Sequence, residues 1–126
     1  LFPPHRNQVA LIAERTEKSA RMPSKLLESC LRMRPDRIIL GEIRGAEAYD
    51  FLEALNTGHP GSITTIHADS PALAFDRLAL MVMRSGVRLS HAEVVTYAKR
   101  TIDLIVQVGR KDGARGILEI FLPALE

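Results

Sequence analysis

The chain has 126 residues, of which 46% are hydrophobic and 25% charged, the composition of an ordinary folded domain. Its formal net charge is only +2, and aromatic residues make up 5% with no tryptophan. This composition gives no strong signal for nucleic-acid binding, which favours a concentrated basic surface and stacking aromatic side chains. The single cysteine, Cys30, excludes an internal disulfide and a cysteine-rich metal site, and we expect it to lie in the core. No apolar run approaches the ~18 residues that span a bilayer.

The first half of the chain predicts alternating strands and helices. The apolar run at 9–13 predicts a strand, and the apolar stripe that follows Ser24 predicts a helix to about Arg32. Residues 37–42 contain three consecutive branched apolar residues, which suit a parallel strand that is buried on both faces. A helix at 46–56 and a β-branched strand at 62–66 follow.

The second half predicts two helices and a hairpin. Ser70 and Pro71 open a helix that runs to about Arg84, and a capping box at 90–93 opens another that ends near Arg100. Residues 102–108 and 117–121 predict two antiparallel strands. Taken together, the order predicts an α/β fold with a mostly parallel sheet, helices on both of its faces and a C-terminal β-hairpin.

Polar residues end two neighbouring strands of this predicted sheet. Glu42 closes the first strand, and Gly41 before it would allow another group to approach the backbone closely. His67 ends the next strand at the same edge, where ligands of open parallel sheets bind. A carboxylate here could hold a magnesium-bound water or accept a proton from an attacking water, and Thr65 could orient a water. The alternative is that Glu42 simply favours the dipole of the following helix.

Other side chains near this edge allow several interpretations. Arginine suits phosphate through its fork geometry, yet each nearby arginine could equally be a solvated helix end or an ion-pair partner. These arginines are Arg32, Arg34, Arg37 and Arg44. His59 and His67 flank one strand at opposite ends, so they are too far apart to chelate one metal unless the loop folds back. The sequence contains no G-x-x-x-x-G-K-[ST] motif, so it lacks the usual cradle for the β- and γ-phosphates.

Two long motifs resemble those of the secretion ATPases, which include type II secretion, type IV secretion and type IV pilus motors. Residues 31–45, LRMRPDRIILGEIRG, are similar to the family's Walker B region, and residues 56–68, NTGHPGSITTIHA, to its histidine box. Both occur in the family's order with a helix between them, and the resemblance extends to Gln107. The sequences of the two motifs are most similar to those of the type IV secretion and conjugation branch.

The resemblance implies a role for each matching residue. Glu42 would be the Walker B carboxylate, acting alone on Mg²⁺ and the attacking water, since the usual aspartate is missing. His67, and also His59, would belong to the histidine box near the γ-phosphate of ATP. Gly41, Arg44 and Thr65 would contribute to nucleotide binding.

The resemblance also implies an assembly and a missing part. The parent would be a homo-hexameric ATPase ring on the cytoplasmic face of a bacterial inner membrane, working with other secretion-system components. Residues 1–126 would be the C-terminal portion of one RecA-like domain, beginning after the Walker A loop, the Asp box and the N-terminal domain. The isolated chain is therefore expected to bind nucleotide very weakly and to be unable to hydrolyse ATP. The alternatives are a non-catalytic interaction or regulatory module of the same fold and a metal-dependent hydrolase that uses Glu42, His59 and His67.

Overall fold

The computed structural model describes residues 4–14, 16 and 19–125. The expected α/β class is confirmed, since these residues form four α-helices and a two-stranded antiparallel hairpin. The chain divides into two compact units, which follow one another in sequence at Thr65 and Ile66. Within the described residues, no helix is both long and apolar enough to cross a membrane.

The first unit contains two helices, α1 (Pro23–Arg32) and α2 (Glu47–Asn56), which pack against each other. Helix α1 begins two residues earlier than expected: Met22 is its N-cap and Pro23 its first residue, so Ser24 is not the cap. Proline fits this position because the first helical N–H has no partner within the helix. The buried apolar side chains of this unit are Leu27, Ile38, Ile43, Ala48, Phe51, Leu52 and Ala54. Cys30 is half-buried rather than part of this core, and burial raises the pKa of its thiol.

Two predicted strands of the first unit run parallel but form very little sheet. Ile39 and Ile63 make a single parallel bridge, and the backbone bonds from Leu40 N–H to the Ile63 carbonyl (2.9 Å) and from Ile63 N–H to the Ile38 carbonyl (3.0 Å) support it. Ile39 is 43% exposed and Ile63 59% exposed. Parallel strands are normally buried on both faces among several neighbours. In the described residues the mostly parallel sheet with helices on both faces is not seen.

The prediction of a strand at residues 9–13 is wrong. These residues form no strand, and Val9 and Ile12 are 70% and 78% exposed. A run of apolar residues becomes a strand through pairing and packing with neighbours rather than by intrinsic preference. Residues 9–13 have neither a ladder partner nor a buried face in this structure.

The second unit begins with two well-capped helices, α3 (Pro71–Arg84) and α4 (His91–Thr101). Ser70 accepts a hydrogen bond from Leu73 N–H at 3.2 Å, and Ser90 and Glu93 form the expected capping box. The hydrogen bonds from Ser90 lower the pKa of the Glu93 carboxyl. Local capping chemistry thus fixed both starts as the sequence predicts.

The hairpin consists of β1 (Ile105–Lys111) and β2 (Ala114–Phe121), followed by a short 3₁₀ helix at Pro123–Leu125. Asp112 and Gly113 form its turn with φ angles of 52° and 81°, the left-handed values that a tight hairpin requires. Strand β1 begins three residues later than expected and β2 three residues earlier. The buried apolar residues of this unit are Ala74, Phe75, Leu78, Ala79, Met81, Val82, Val94 and Ala98.

Candidate functional site

Glu42 follows the parallel pair directly and has a mostly buried side chain. The side chain is 20% exposed, its Oε1 atom is buried, and its Oε2 atom lies 2.5 Å from Nη2 of Arg44. The hydrogen bond and the negative charge of Glu42 raise the pKa of the Arg44 guanidinium. The two side chains therefore form a charged pair at the end of the segment that carries Ile39.

The loop from Glu42 to α2 is held by a second carboxylate that sequence reasoning missed. Glu47 is 4% exposed, and its Oε1 accepts a hydrogen bond from the Arg44 backbone N–H at 2.9 Å. A carboxylate in the first turn of a helix that accepts a preceding N–H is a capping arrangement. An acidic residue three positions after Arg44, at the start of a predicted helix, was the available signal.

Thr65 contacts the backbone on both sides of Glu42. Its hydroxyl donates a hydrogen bond to the Gly41 carbonyl at 2.8 Å, and its own carbonyl accepts one from Ile43 N–H at 3.0 Å. The sequence predicts that Thr65 and Glu42 lie at one edge, and these contacts place Thr65 beside the residues that flank Glu42. Whether Thr65 touches nucleotide stays a prediction.

Ser62 makes a similar link at the other end of the parallel pair, and sequence reasoning missed it. Its hydroxyl accepts from Ile38 N–H at 2.9 Å and donates to the His59 carbonyl at 2.8 Å. The hydroxyl therefore ties the turn at 58–61 to the neighbouring segment. Nothing in the local sequence distinguishes this serine from an ordinary turn residue.

His59 is half-buried, and its side chain links the turn at 58–61 to the end of α2. Its Nδ1 lies 2.8 Å from the Ala54 carbonyl at the end of α2, and because a carbonyl can only accept, Nδ1 carries the donated proton. In the same turn, Gly61 has φ of 73°, and Nε of Arg37 lies 3.0 Å from where a Cβ on Gly61 would be. Arg37 thus covers the turn that contains His59.

The remaining predicted residues are His67 and the arginines Arg32 and Arg34. His67 is exposed and belongs to the second unit, two residues after Thr65, so its expected pairing with Glu42 stays a prediction. Arg32 pairs with Glu28 at 2.6 Å, and Arg34 has a left-handed φ of 55° just before Pro35. Among the described residues, no three histidine, cysteine or acidic side chains are grouped so that they could hold a metal ion.

An open groove with several acidic side chains lies between α1 and α2. Glu28, Asp50 and Glu53 are among its lining side chains. Burial and the nearby charges of Glu53, Glu47 and Glu28 raise the pKa of the Asp50 carboxyl. The groove is therefore a place where like charges are held close together.

Together these features define an α/β protein in which polar side chains gather where two parallel-paired segments end. The chain belongs to the family of secretion system proteins: the family described as "Type II/IV secretion system protein" matches residues 3–118. The expected resemblance is thereby confirmed.

Named relatives place the chain near type IV secretion and conjugation. It is 43% identical to the type IV secretion system protein VirB11 of Brucella suis biovar 1 over 95% of this chain and 36% of that protein. It is 41% identical to the conjugal transfer protein TrbB of Rhizobium radiobacter over 77% of this chain and 29% of that protein. The chain thus spans about a third of the length of these relatives.

A solved structure is also similar. The crystal structure of the VirB11 ATPase from the Brucella suis type IV secretion system in complex with sulphate matches with a TM-score of 0.76 and 41% identity. The match covers 81% of this chain and 32% of that chain. The fold of the described helices and hairpin is therefore one that a secretion ATPase contains.

Proposed function

We propose that residues 1–126 form the C-terminal portion of one RecA-like ATPase domain, in a motor of a bacterial type IV secretion or conjugation system. The motor hydrolyses ATP to drive substrate translocation or assembly. The main support is Glu42, a mostly buried carboxylate that directly follows a parallel-paired segment. It lies in a chain that is 43% identical to a VirB11 protein over 95% of its length.

In this proposal Glu42 accepts the proton of the attacking water at a carboxylate oxygen, which is general base catalysis. Arg44 places a positive charge beside that carboxylate, and Gly41 and Thr65 line the nucleotide side of the same segment. His67 lies near the γ-phosphate. A contact from His59 to a phosphate oxygen would use Nε2, since Nδ1 contacts the Ala54 carbonyl.

The residues around Glu42 fit Mg²⁺ that is held mainly by ATP and water. Magnesium commonly uses one or two carboxylates together with phosphate oxygens and waters. Because Oε2 of Glu42 is paired with Arg44, the proposal gives this carboxylate a contact to the ion through water rather than direct ligation. When bound, the ion supplies positive charge that neutralises the phosphates.

The proposal assigns the rest of the site to sequence outside these 126 residues. They contain no phosphate-binding loop, so the cradle for the β- and γ-phosphates comes from elsewhere in the longer polypeptide. We expect that polypeptide to form a homo-hexameric ring on the cytoplasmic face of the inner membrane, in contact with other secretion components. The 126 residues alone are expected to show no ATP turnover above a Glu42→Ala control.

The test is ATP hydrolysis by the full-length polypeptide that carries this segment. Removing a general base costs about 10²–10⁴-fold in rate, so Glu42→Gln should lower kcat by at least about 100-fold. Glu119→Gln is the matched control, because it makes the same charge change on an exposed residue of β2 and should leave kcat within about twofold. Hydrolysis that survives Glu42→Gln, or its absence from the unmodified protein, would contradict the proposal and favour a non-catalytic module.

A further inference from the structure

One residue fixes both peptide groups that adjoin Glu42. The Thr65 hydroxyl donates to the carbonyl of Gly41, which belongs to the peptide group before Glu42. The Thr65 carbonyl accepts from the N–H of Ile43, which belongs to the peptide group after Glu42. The two bonds, of 2.8 and 3.0 Å, together restrict the φ and ψ angles of Glu42.

Side-chain packing holds the peptide group after Glu42 more firmly than the peptide group before it. Ile43 is 2% exposed, so packing also holds the peptide group after Glu42. Gly41 has no side chain, and a Cβ placed on it would have no heavy atom within 4 Å in the described structure. The peptide group between Gly41 and Glu42 therefore depends on the Thr65 hydroxyl more than its counterpart depends on the Thr65 carbonyl.

We infer that Thr65 is a positioning residue whose hydroxyl, bonded to the Gly41 carbonyl, sets the direction of the Glu42 carboxylate for catalysis. This inference rests on the proposed role of Glu42. It differs from a direct nucleotide contact, because the hydroxyl proton of Thr65 is committed to the Gly41 carbonyl. A carboxylate that must reach one water is sensitive to displacements of about 1 Å, which can cost about 100-fold in rate.

The chain offers closely matched variants for the test. Thr65→Val removes the hydroxyl but keeps the β-branched shape and the backbone bond to Ile43, and Thr65→Ser keeps the hydroxyl. Thr64→Val removes the adjacent hydroxyl, which lies 3.5 Å from the Thr65 carbonyl. Ser62→Ala removes the other hydroxyl link between the two segments, at the end remote from Glu42.

The experiment measures kcat and KM for ATP in the full-length polypeptide, with folding checked by circular dichroism. Thr65→Val should lower kcat by about 10-fold or more and change KM by less than about 3-fold, since the contact acts in the transition state. Thr65→Ser should restore kcat to within about 3-fold, and Thr64→Val should leave it within about twofold. Ser62→Ala should lower kcat less than Thr65→Val does.

A double variant separates positioning from general damage. If Thr65 acts through Glu42, adding Thr65→Val to Glu42→Gln should lower kcat no further, because the two changes remove one shared function. Additive losses, or equal losses in Thr65→Val and Ser62→Ala, would show a structural role and overturn the inference. A raised KM with unchanged kcat would also overturn it, in favour of a direct nucleotide contact.

The result for Glu42→Gln shows whether the positioning role of Thr65 or the proposed function has failed. When Glu42→Gln is inactive and Thr65→Val is as active as the unmodified protein, the positioning inference fails and the proposed function stands. When Glu42→Gln is as active as the unmodified protein, the proposed function fails and takes this inference with it.

Discussion

The two compact units of the chain hold their polar side chains in different ways. In the second unit the described hydroxyl contacts to the backbone are local: Ser70 and Ser90 cap the helices that they precede, and Glu93 completes a capping box. The long-range polar contact of that unit comes from an amide, since Gln107 Nε2 donates to the Ala68 carbonyl at 3.0 Å. In the first unit hydroxyl contacts join distant parts of the chain, since Ser62 and Thr65 each bond a backbone group 24 residues away. The first unit is therefore where the arrangement of backbone depends on individual hydroxyl groups.

This difference follows from how each unit builds its regular structure. The hairpin of the second unit closes its own ladder through a two-residue turn. The parallel segments of the first unit have a single bridge, and parallel pairing cannot be completed by a tight turn. Side-chain hydroxyls supply bonds there that a longer ladder would otherwise provide.

The largest expected effect lies in the core of the second unit. Phe75 is 2% exposed, its ring meets Phe121 edge-on with centroids 6.1 Å apart, and Lys99 lies over the same ring at 5.9 Å. Phe75→Ala should lower the free energy of unfolding by about 3–5 kcal/mol, because it removes a large buried side chain and leaves a cavity. Denaturant unfolding followed by circular dichroism measures this.

The control for Phe75 is Leu73 on the same helix. Leu73 is 50% exposed, so Leu73→Ala should cost less than about 1 kcal/mol. Similar losses for the two variants would contradict the view that α3 is anchored through one buried face.

A smaller effect is expected at the turn of the first unit. Gly61 has φ of 73°, and a Cβ there would meet Arg37 at 3.0 Å, so Gly61→Ala should cost about 1–2 kcal/mol. Amide exchange at Ile63, whose N–H bonds the Ile38 carbonyl, should then speed up by about 5–30-fold.

The matched control is Gly41→Ala. A Cβ on Gly41 would have no described heavy atom within 4 Å, so the stability should change by less than about 0.5 kcal/mol. If Gly41→Ala destabilised the first unit as much as Gly61→Ala, local strain at the turn would not explain the effect.

The sequence predicts features that depend on neighbouring residues better than features that depend on contacts between distant parts of the chain. The capped starts of α3 and α4 and the turn at Asp112 follow from residues within four positions, and the structure confirms them. The bonds made by Ser62 and Thr65 depend on which segments become neighbours, which no local pattern encodes. The strand expected at 9–13 failed for the same reason, since pairing partners decide whether an apolar run becomes a strand.

At the site, the sequence predicts which residue types occur and in what order, but it does not predict which of them contact each other. The position of Glu42 after an apolar segment was predictable, and an acidic residue at the start of a helix was an available signal for Glu47. The pairing of Glu42 with Arg44 was not predictable. Side-chain pairing between charged residues depends on loop conformation, and residues 42–46 form an irregular segment before α2.

The smallest expected effect concerns the acidic groove of the first unit. Burial and the charges of Glu53, Glu47 and Glu28 raise the pKa of Asp50, so the folded chain holds the Asp50 proton more tightly than the unfolded chain. Between the ordinary pKa and the raised one, the folded state therefore binds more protons, and stability falls as the pH rises through that window. Asp50→Asn should raise the melting temperature slightly at pH 7.

The pH dependence distinguishes this explanation from a general charge effect. The gain from Asp50→Asn should shrink as the pH is lowered toward the ordinary aspartate pKa of about 4, where Asp50 also becomes neutral in the unmodified chain. Asp36→Asn makes the same charge change at an exposed position of the same unit and should give no comparable gain. A gain in both variants would mean that net charge, rather than the close approach of carboxylates between α1 and α2, limits the stability of the first unit.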